Sequence, residues 1–362
     1  MSRYVLHLDL DEFIAAVEVL RRPELVGSPV VVGGQGDPTE RGVVSTANYR
    51  AREFGIRSGM PLRTAYKRCP EAVFLPVDAE AYLEASRRVM DTLRTFDAVV
   101  EVAGWDEAFL GVETDDPESL ARRIQRAVLE RTELWSTIGI GENKLQAKLA
   151  SGFGKPRGVF ILTSASWHEV MDGLTTDTLW GIGRKTAAKL EALGIRTVGE
   201  LANADEEMLA GALGHSTGPW LASLGRGEGP TEVSAEPYVA KAHGRERTFQ
   251  RDLTDPEKIR RELVRLAREV AEDVRGEGRP AIRVTVKVRF APFTTHTRGF
   301  SLEGPTTDQG DLERGALAAL SRFDLDRPVR LLGVRAEMEP PDLDVTAQAA
   351  ISPRRVPRPQ RR

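Results

Sequence analysis

The stretch YVLHLDLDEF, residues 4–13, alternates apolar and polar side chains. Leu6, Leu8 and Leu10 fall on one face and His7 and Asp9 on the other, the period of a β-strand that ends on acids. A second stretch, VVEVAGWDEAFLGV, residues 99–112, reads as two strands joined through Gly104-Trp105-Asp106-Glu107. An Asp-Glu pair in a turn is ordinarily a solvated feature. Here both acidic sites interrupt apolar strands, which gathers Asp9, Asp106 and Glu107 on one rim of one sheet. Crowded carboxylates repel one another unless cations lie between them. Hard divalent ions with oxygen ligands meet that need, Mg²⁺ foremost. Two such ions would clamp the attacking and leaving oxygens of a phosphoryl displacement.

Outward from these strands the pattern is mixed α and β. Helices are predicted over 12–20, 46–54, 61–68 and 80–96, and strands over 29–32 and 73–77, with a polar loop at 35–41. Asp116-Pro117 opens another helix, residues 135–141 read as a strand, and residues 143–153 as a helix. Up to about residue 165 the chain thus forms one α/β unit with an insertion. Residues 166–232 are helical and rich in glycine, and 233–241 form a linker. A second α/β unit follows, with a helix over 256–274 that repeats Ile259, Leu263, Leu266, Val270 and Val274. Its strand at 282–290 sends Ile282, Val284, Val286, Val288 and Phe290 inward and Arg283, Thr285, Lys287 and Arg289 outward. The end, residues 351–362, carries five arginines, three prolines and no acid, a composition expected to be disordered.

The 362 residues exceed one ordinary core. Apolar residues make up 41 % and charged ones 29 %, as in globular proteins. No apolar run reaches the length of a membrane span, and the N-terminus has no signal-peptide pattern. Cys69, the single cysteine, excludes an internal disulfide and a cysteine zinc site. The expectation is a cytoplasmic, monomeric protein without membrane contact. The net charge of −3 argues weakly against nucleic acid, but a basic face can coexist with acidic surfaces elsewhere.

Five motifs, in order, resemble those of Y-family DNA polymerases, and the nearest branch is the DinB-like, polymerase IV type. They are HLDLDEFIAAVE, VVSTANYRAREFGIRSGMP, GWDEAFL, NKLQAKLASGFGKPRG and LWGIGRKTAAKLEALGIRTVGEL. The resemblance implies an α+β multidomain right-hand polymerase: palm 1–22 and 72–165, fingers 23–71, helix-hairpin-helix thumb 166–232, linker 233–241, little finger 242–340 and basic tail 341–362. It implies that Asp9, Asp106, Glu107 and the carbonyl of Leu10 hold two Mg²⁺ ions, with Mn²⁺ able to substitute, and that Asp11 is not a ligand. Primer-template nucleic acid and nucleoside triphosphates are the implied partners, in translesion synthesis without proofreading.

Thr46, Tyr49 and Arg52 are spaced three apart, so a helix would align them, and the resemblance makes them triphosphate contacts together with Lys155. Phe13 and Ile14 join this nucleotide set, Phe13 as the core-facing neighbour. The family usually has Phe or Tyr where Ile14 stands, a ring that excludes a 2′-hydroxyl; Ile14 lowers that wall and implies ribonucleotide use. Gly104-Trp105 departs from the family's usual Ser plus aliphatic residue.

For DNA, Gly181 and Gly183 precede a helix that starts with Arg184 and Lys185, where glycines and free N–H groups suit a phosphate. Arg283, Lys287 and Arg289 would form a basic sheet face, widened by Arg245, Arg247, His296 and Arg298. The tail AISPRRVPRPQRR has no glutamine-plus-hydrophobic clamp peptide, so sliding-clamp docking there is not expected. A nucleotidyl cyclase would share the carboxylates but need neither the helix-hairpin-helix nor the basic sheet. A catalytically silent nucleic-acid binder would lack a metal ligand, and all three are present.

Overall fold

The computed structural model describes residues 2–341. The tail therefore lies, but for its first residue, outside the described residues, as does the reading of clamp docking there. Strand β1 (Ser2–Leu10) is followed by α1 (Phe13–Arg21), β2 (Val30–Val32), β3 (Thr46–Ala47), α2 (Tyr49–Glu53), α3 (Leu62–Arg68), β4 (Val73–Leu75) and α4 (Ala79–Leu93). Next come β5 (Val99–Val102), β6 (Glu107–Thr114), α5 (Pro117–Thr132), β7 (Ser136–Gly141), α6 (Lys144–Gly154) and β8 (Val159–Ile161). Five helices follow: α7 (Ser164–Met171), α8 (Arg184–Ala192), α9 (Val198–Ala202), α10 (Glu206–Leu213) and α11 (Thr217–Gly225). The last elements are β9 (Ala242–Leu253), α12 (Pro256–Glu277), β10 (Ala281–Phe290), β11 (Thr294–Thr306), α13 (Gln309–Leu320) and β12 (Val329–Met338).

Three sheets result. The first has the order β5-β6-β1-β7-β8, with β1 in its centre and antiparallel to both neighbours. Leu6, Leu8 and Leu10 pack into a core shared with α1, α4 and α5. Val5 and His7 turn the other way, toward Phe109 and Ala147 of α6. A central strand covered on both sides explains why His7, polar in the alternation, is fully buried. Helix α6 lies unusually close: a Cβ built at Gly139 of β7 would sit 2.0 Å from the Ala147 carbonyl oxygen. Glycine there permits the approach that sets Lys148 and Lys155 over the end of β1.

A small sheet, β3-β2-β4, with its own core around Val31, Ile56 and Leu62, is inserted between α1 and α4. The helix expected over 46–54 is shorter than the sequence suggested. Thr46 pairs with Val32 in β3, and Asn48 sits extended as the cap of α2, accepting from the Ala51 N–H at 3.0 Å. Helices α7–α11 share a third core with α6. The last sheet, β11-β10-β12-β9, is wholly antiparallel, and α12 and α13 cover one of its faces. Its alternation begins after a bulge between Ala281 and Arg283, so Ile282 is only half-buried, contrary to the inward position expected for it. Arg41 ties the inserted sheet to this one, donating to Gln250, Asp252 and the Phe249 carbonyl.

Candidate active site

Asp9 is the last outward side chain of β1 and stands opposite Glu107 of β6 and Thr137 of β7. The β5–β6 hairpin turns sharply just before Glu107. The N–H groups of Ala103 and Gly104 both donate to the Glu107 carbonyl, at 3.1 and 3.0 Å, and Leu10 N–H donates to the Asp106 carbonyl at 2.8 Å. The first acid and the later pair, nearly a hundred residues apart, thus share one corner of the sheet. Gly104 matters to that corner. A Cβ there would lie 3.1 Å from Glu107 Cγ and 3.6 Å from Asp106 Oδ1, so the glycine leaves the two carboxylates room. Trp105 packs against the central core.

The electrostatics are asymmetric. Burial, reinforced by the charges of Asp9 and Glu107, pushes the Asp106 carboxyl up to about 6. Hydrogen bonding to His7, then to Lys148, pulls Glu107 down to about 2. Lys155 forms an ion pair with Asp9, and Lys148 with Glu107. Among the described residues no three acids, histidines or cysteines converge closely enough to make a ready cation cage. The two lysines instead neutralise the acids. The donor set remains three carboxylates and a nearby backbone carbonyl, all hard oxygens, which fits Mg²⁺.

Behind this corner lies Asp11, only 3 % exposed. It accepts from Tyr49 Oη at 3.0 Å, from Thr137 Oγ1 at 3.0 and 3.1 Å, and from Arg157 N–H at 2.8 Å. One carboxylate therefore joins α2, β7 and the loop that carries Lys155. Arg52 lies 4.9 Å from the Tyr49 ring centre and donates through Nε to the Ala47 carbonyl at 2.8 Å. Tyr49 and Arg52 thus share a face, whereas Thr46 stands on β3 and not on that helix. Ile14 is half-buried at the start of α1. Phe13, counted among the nucleotide set by sequence as its core-facing neighbour, is 3 % exposed and packs in the core of the first sheet. Successive helix residues differ by about 100° in direction, which separates it from Ile14.

Three participants escaped the sequence reading: Asp11 as a hub, Lys148 and His7. His7 Nδ1 lies 2.8 Å from Ser151 Oγ, and its Nε2 lies 3.4 Å from both Lys148 Nζ and Glu107 Oε2. A signal existed, since three of the chain's nine lysines (144, 148 and 155) fall within one short segment.

Farther out, Gly183 caps α8 with no neighbour where a side chain would go, and Lys185 is exposed. Gly181 has φ +106, and a Cβ there would touch the Trp220 ring at 3.0 Å. In the last sheet Arg283, Lys287 and Arg289 do point to the uncovered face, where Lys287 pairs with Glu246. The widening residues do not. Arg245 and Arg298 are both in line with inward Val286 or its partner Val334, and Arg247 with inward Leu332. Arg245 binds Asp273 of α12 through two 2.8 Å bonds, and Arg247 binds Glu262 at 3.1 Å. Arg298 lies over the Phe323 ring at 5.5 Å. Arg245 and Arg247 serve the sheet–helix interface, while Arg298 stays exposed.

The model of the impB/mucB/samB family matches residues 8–152, and that of its C-terminal domain matches residues 240–341. A DNA polymerase IV 2 of Mycobacterium tuberculosis is 47 % identical over 93 % of this chain and 98 % of its own. A DNA polymerase IV of Methanoculleus marisnigri is 40 % identical over 93 % and 94 %. Among solved structures, a Y-family DNA polymerase chimera superposes with TM-score 0.82 at 28 % identity, covering 92 % of this chain and 98 % of that one. An insertion ternary complex of Dbh DNA polymerase gives TM-score 0.64 at 28 % identity with the same coverage.

Proposed function

This chain belongs to the Y family of translesion DNA polymerases, in its polymerase IV branch, and from that premise we propose that it extends primers with two Mg²⁺ ions and admits ribonucleotides. The observation that carries the reading is the corner shared by Asp9, Asp106 and Glu107, with Lys155 and Lys148 beside it. These three carboxylates and the Leu10 carbonyl would hold the ions; Mn²⁺ would substitute. When bound, the ions supply charge stabilisation for the attacking and leaving oxygens of the nucleotidyl transfer.

The chain's own groups divide the remaining tasks. Lys155, released from Asp9, would bind the triphosphate with Tyr49 and Arg52, while Asp11 keeps their elements in register. Arginine suits this because its planar fork binds phosphate through two bonds. Distinct clusters of buried side chains support the division into palm (1–22 and 72–165), fingers (23–71), helix-hairpin-helix thumb (166–232, its cluster shared with α6), linker (233–241) and little finger (242–340). Gly181, Gly183 and Lys185 of the thumb, and Arg283, Lys287 and Arg289 of the little finger, would grip the primer-template backbone without reading sequence. No proofreading site is assigned to any of these units.

Ile14 governs the sugar in this reading. Tight packing penalises an added heavy atom by roughly 1–3 kcal/mol, which is about tenfold to a hundredfold in rate. Measuring kcat/KM for ATP and dATP on one template, with Mg²⁺ and with a chelator, tests the proposal. Wild type should use both nucleotides, and Ile14→Phe should depress ATP by roughly ten- to a hundredfold while sparing dATP. Exclusion of ATP by wild type, or no change with the ring, refutes the role of Ile14. Extension that persists in chelator refutes the metal reading.

A further inference from the structure

The turn between β10 and β11 carries an unusual exposed aromatic. Phe293 is 65 % exposed, yet it is framed by charge. The Arg330 guanidinium lies 4.6 Å from its ring centre and that of Arg289 lies 6.0 Å away. Arg330 reaches this place because of an irregularity in β12. Val329 pairs with Phe290 and Leu331 with Arg289, so Arg330 is the extra residue of a bulge. Bulges re-aim side chains, and this one directs a guanidinium onto the ring.

The turn is also held firmly. Arg327 donates to the Ala291 carbonyl and to Thr294 Oγ1, both at 3.0 Å, and Ala291 N–H donates to the Pro328 carbonyl at 2.9 Å. Arg289 Nε donates to Thr295 Oγ1 at 2.9 Å. A ring fixed in water and flanked by cations is a ready stacking surface, because an arginine whose face meets an aromatic keeps its N–H edge for phosphate. Burial first, and then the nearby charge of Arg41, lowers the affinity of Arg330 for its proton, with Asp252 offsetting part of the effect. The cluster also lies where Arg41 joins the small inserted sheet to the last one.

We propose that Phe293, between Arg289 and Arg330, stacks with one unpaired nucleotide of the template strand, the two arginines taking its neighbouring phosphates. Duplex bases are already stacked on one another, so an exposed ring selects an unpaired base, and the unpaired part of a primer-template is the template ahead of the primer end. The inference rests on the polymerase reading and adds a subsite for single strand.

The test compares Kd, at one salt concentration, for a primer-template with a 5′ template overhang and for a blunt duplex of the same sequence. Phe293→Ala should weaken overhang binding by roughly five- to a hundredfold and leave blunt-duplex binding within about twofold, while Phe293→Trp should retain both. A 2-aminopurine placed along the overhang should be quenched at one position by wild type and not by Phe293→Ala. An equal loss on both substrates, or no loss on either, overturns the inference. Failure of wild type to bind either DNA would instead overturn the polymerase reading beneath it.

Discussion

Asp106 should cost the folded protein stability for as long as no cation sits beside it, and Asp106→Asn should expose that cost. Its carboxyl is raised from 3.8 to about 6, first by burial and then by Asp9 and Glu107. The sign follows from linkage. Below about pH 4 the group is protonated in both folded and unfolded chains and costs nothing. Between 4 and 6 the unfolded chain loses its proton first, and above 6 the full penalty applies. Roughly two pKa units at 1.36 kcal/mol each give about 3 kcal/mol near pH 7.5 and about half of that at pH 5. The amide keeps the shape without the charge. At ~2–4 °C per kcal/mol for a unit of this size, Asp106→Asn should raise the first tryptophan-fluorescence melting transition by roughly 5–10 °C at pH 7.5 without divalent metal. The gap should shrink at pH 5, and also with Mg²⁺, which stabilises only the wild-type site. Equal melting temperatures, or a gap that ignores pH, would refute the reasoning. Glu107 behaves oppositely: its value of about 2 reflects stabilising bonds to His7 and Lys148. That contribution is present above pH 4.5 and fades as pH falls toward 2.

Two further substitutions probe the surroundings. Asp11→Ala removes the acceptor shared by Tyr49, Thr137 and Arg157; it should raise KM for nucleotides about tenfold or more while primer-template Kd stays unchanged, as steady-state kinetics and anisotropy would show. Arg245→Ala removes the two-bond guanidinium partner of the Asp273 carboxylate, whose residue is 7 % exposed. It should destabilise the C-terminal unit by roughly 1–3 kcal/mol and spare DNA affinity, whereas Arg283→Ala should do the reverse; denaturant melts and salt-matched Kd values separate the two.

The carboxylate corner was legible because strands declare themselves by alternation: it put Asp9 at the end of one apolar strand, and the turn between two others carried Asp106 and Glu107 to the same rim of one sheet. Local pattern also found α5 and α12, where Asp116-Pro117 and Asp255-Pro256 start amphipathic helices. The misses have a common physical origin. Thr46 was drawn into a helix because spacing by three is blind to Asn48, whose side chain ends the strand and starts α2. Arg245 and Arg247 read as outward cations because β9 is polar on both faces. Only the acids of α12, Glu262 and Asp273, reveal which arginines face the helices, and those contacts cross 15 and 28 residues. Asp11 is the extreme case, with partners 38, 126 and 146 residues away. Periodicity locates a side chain on its own element, but a carboxylate that joins three elements is defined by their packing. Such hubs are invisible to pattern and become evident only once the chain has folded.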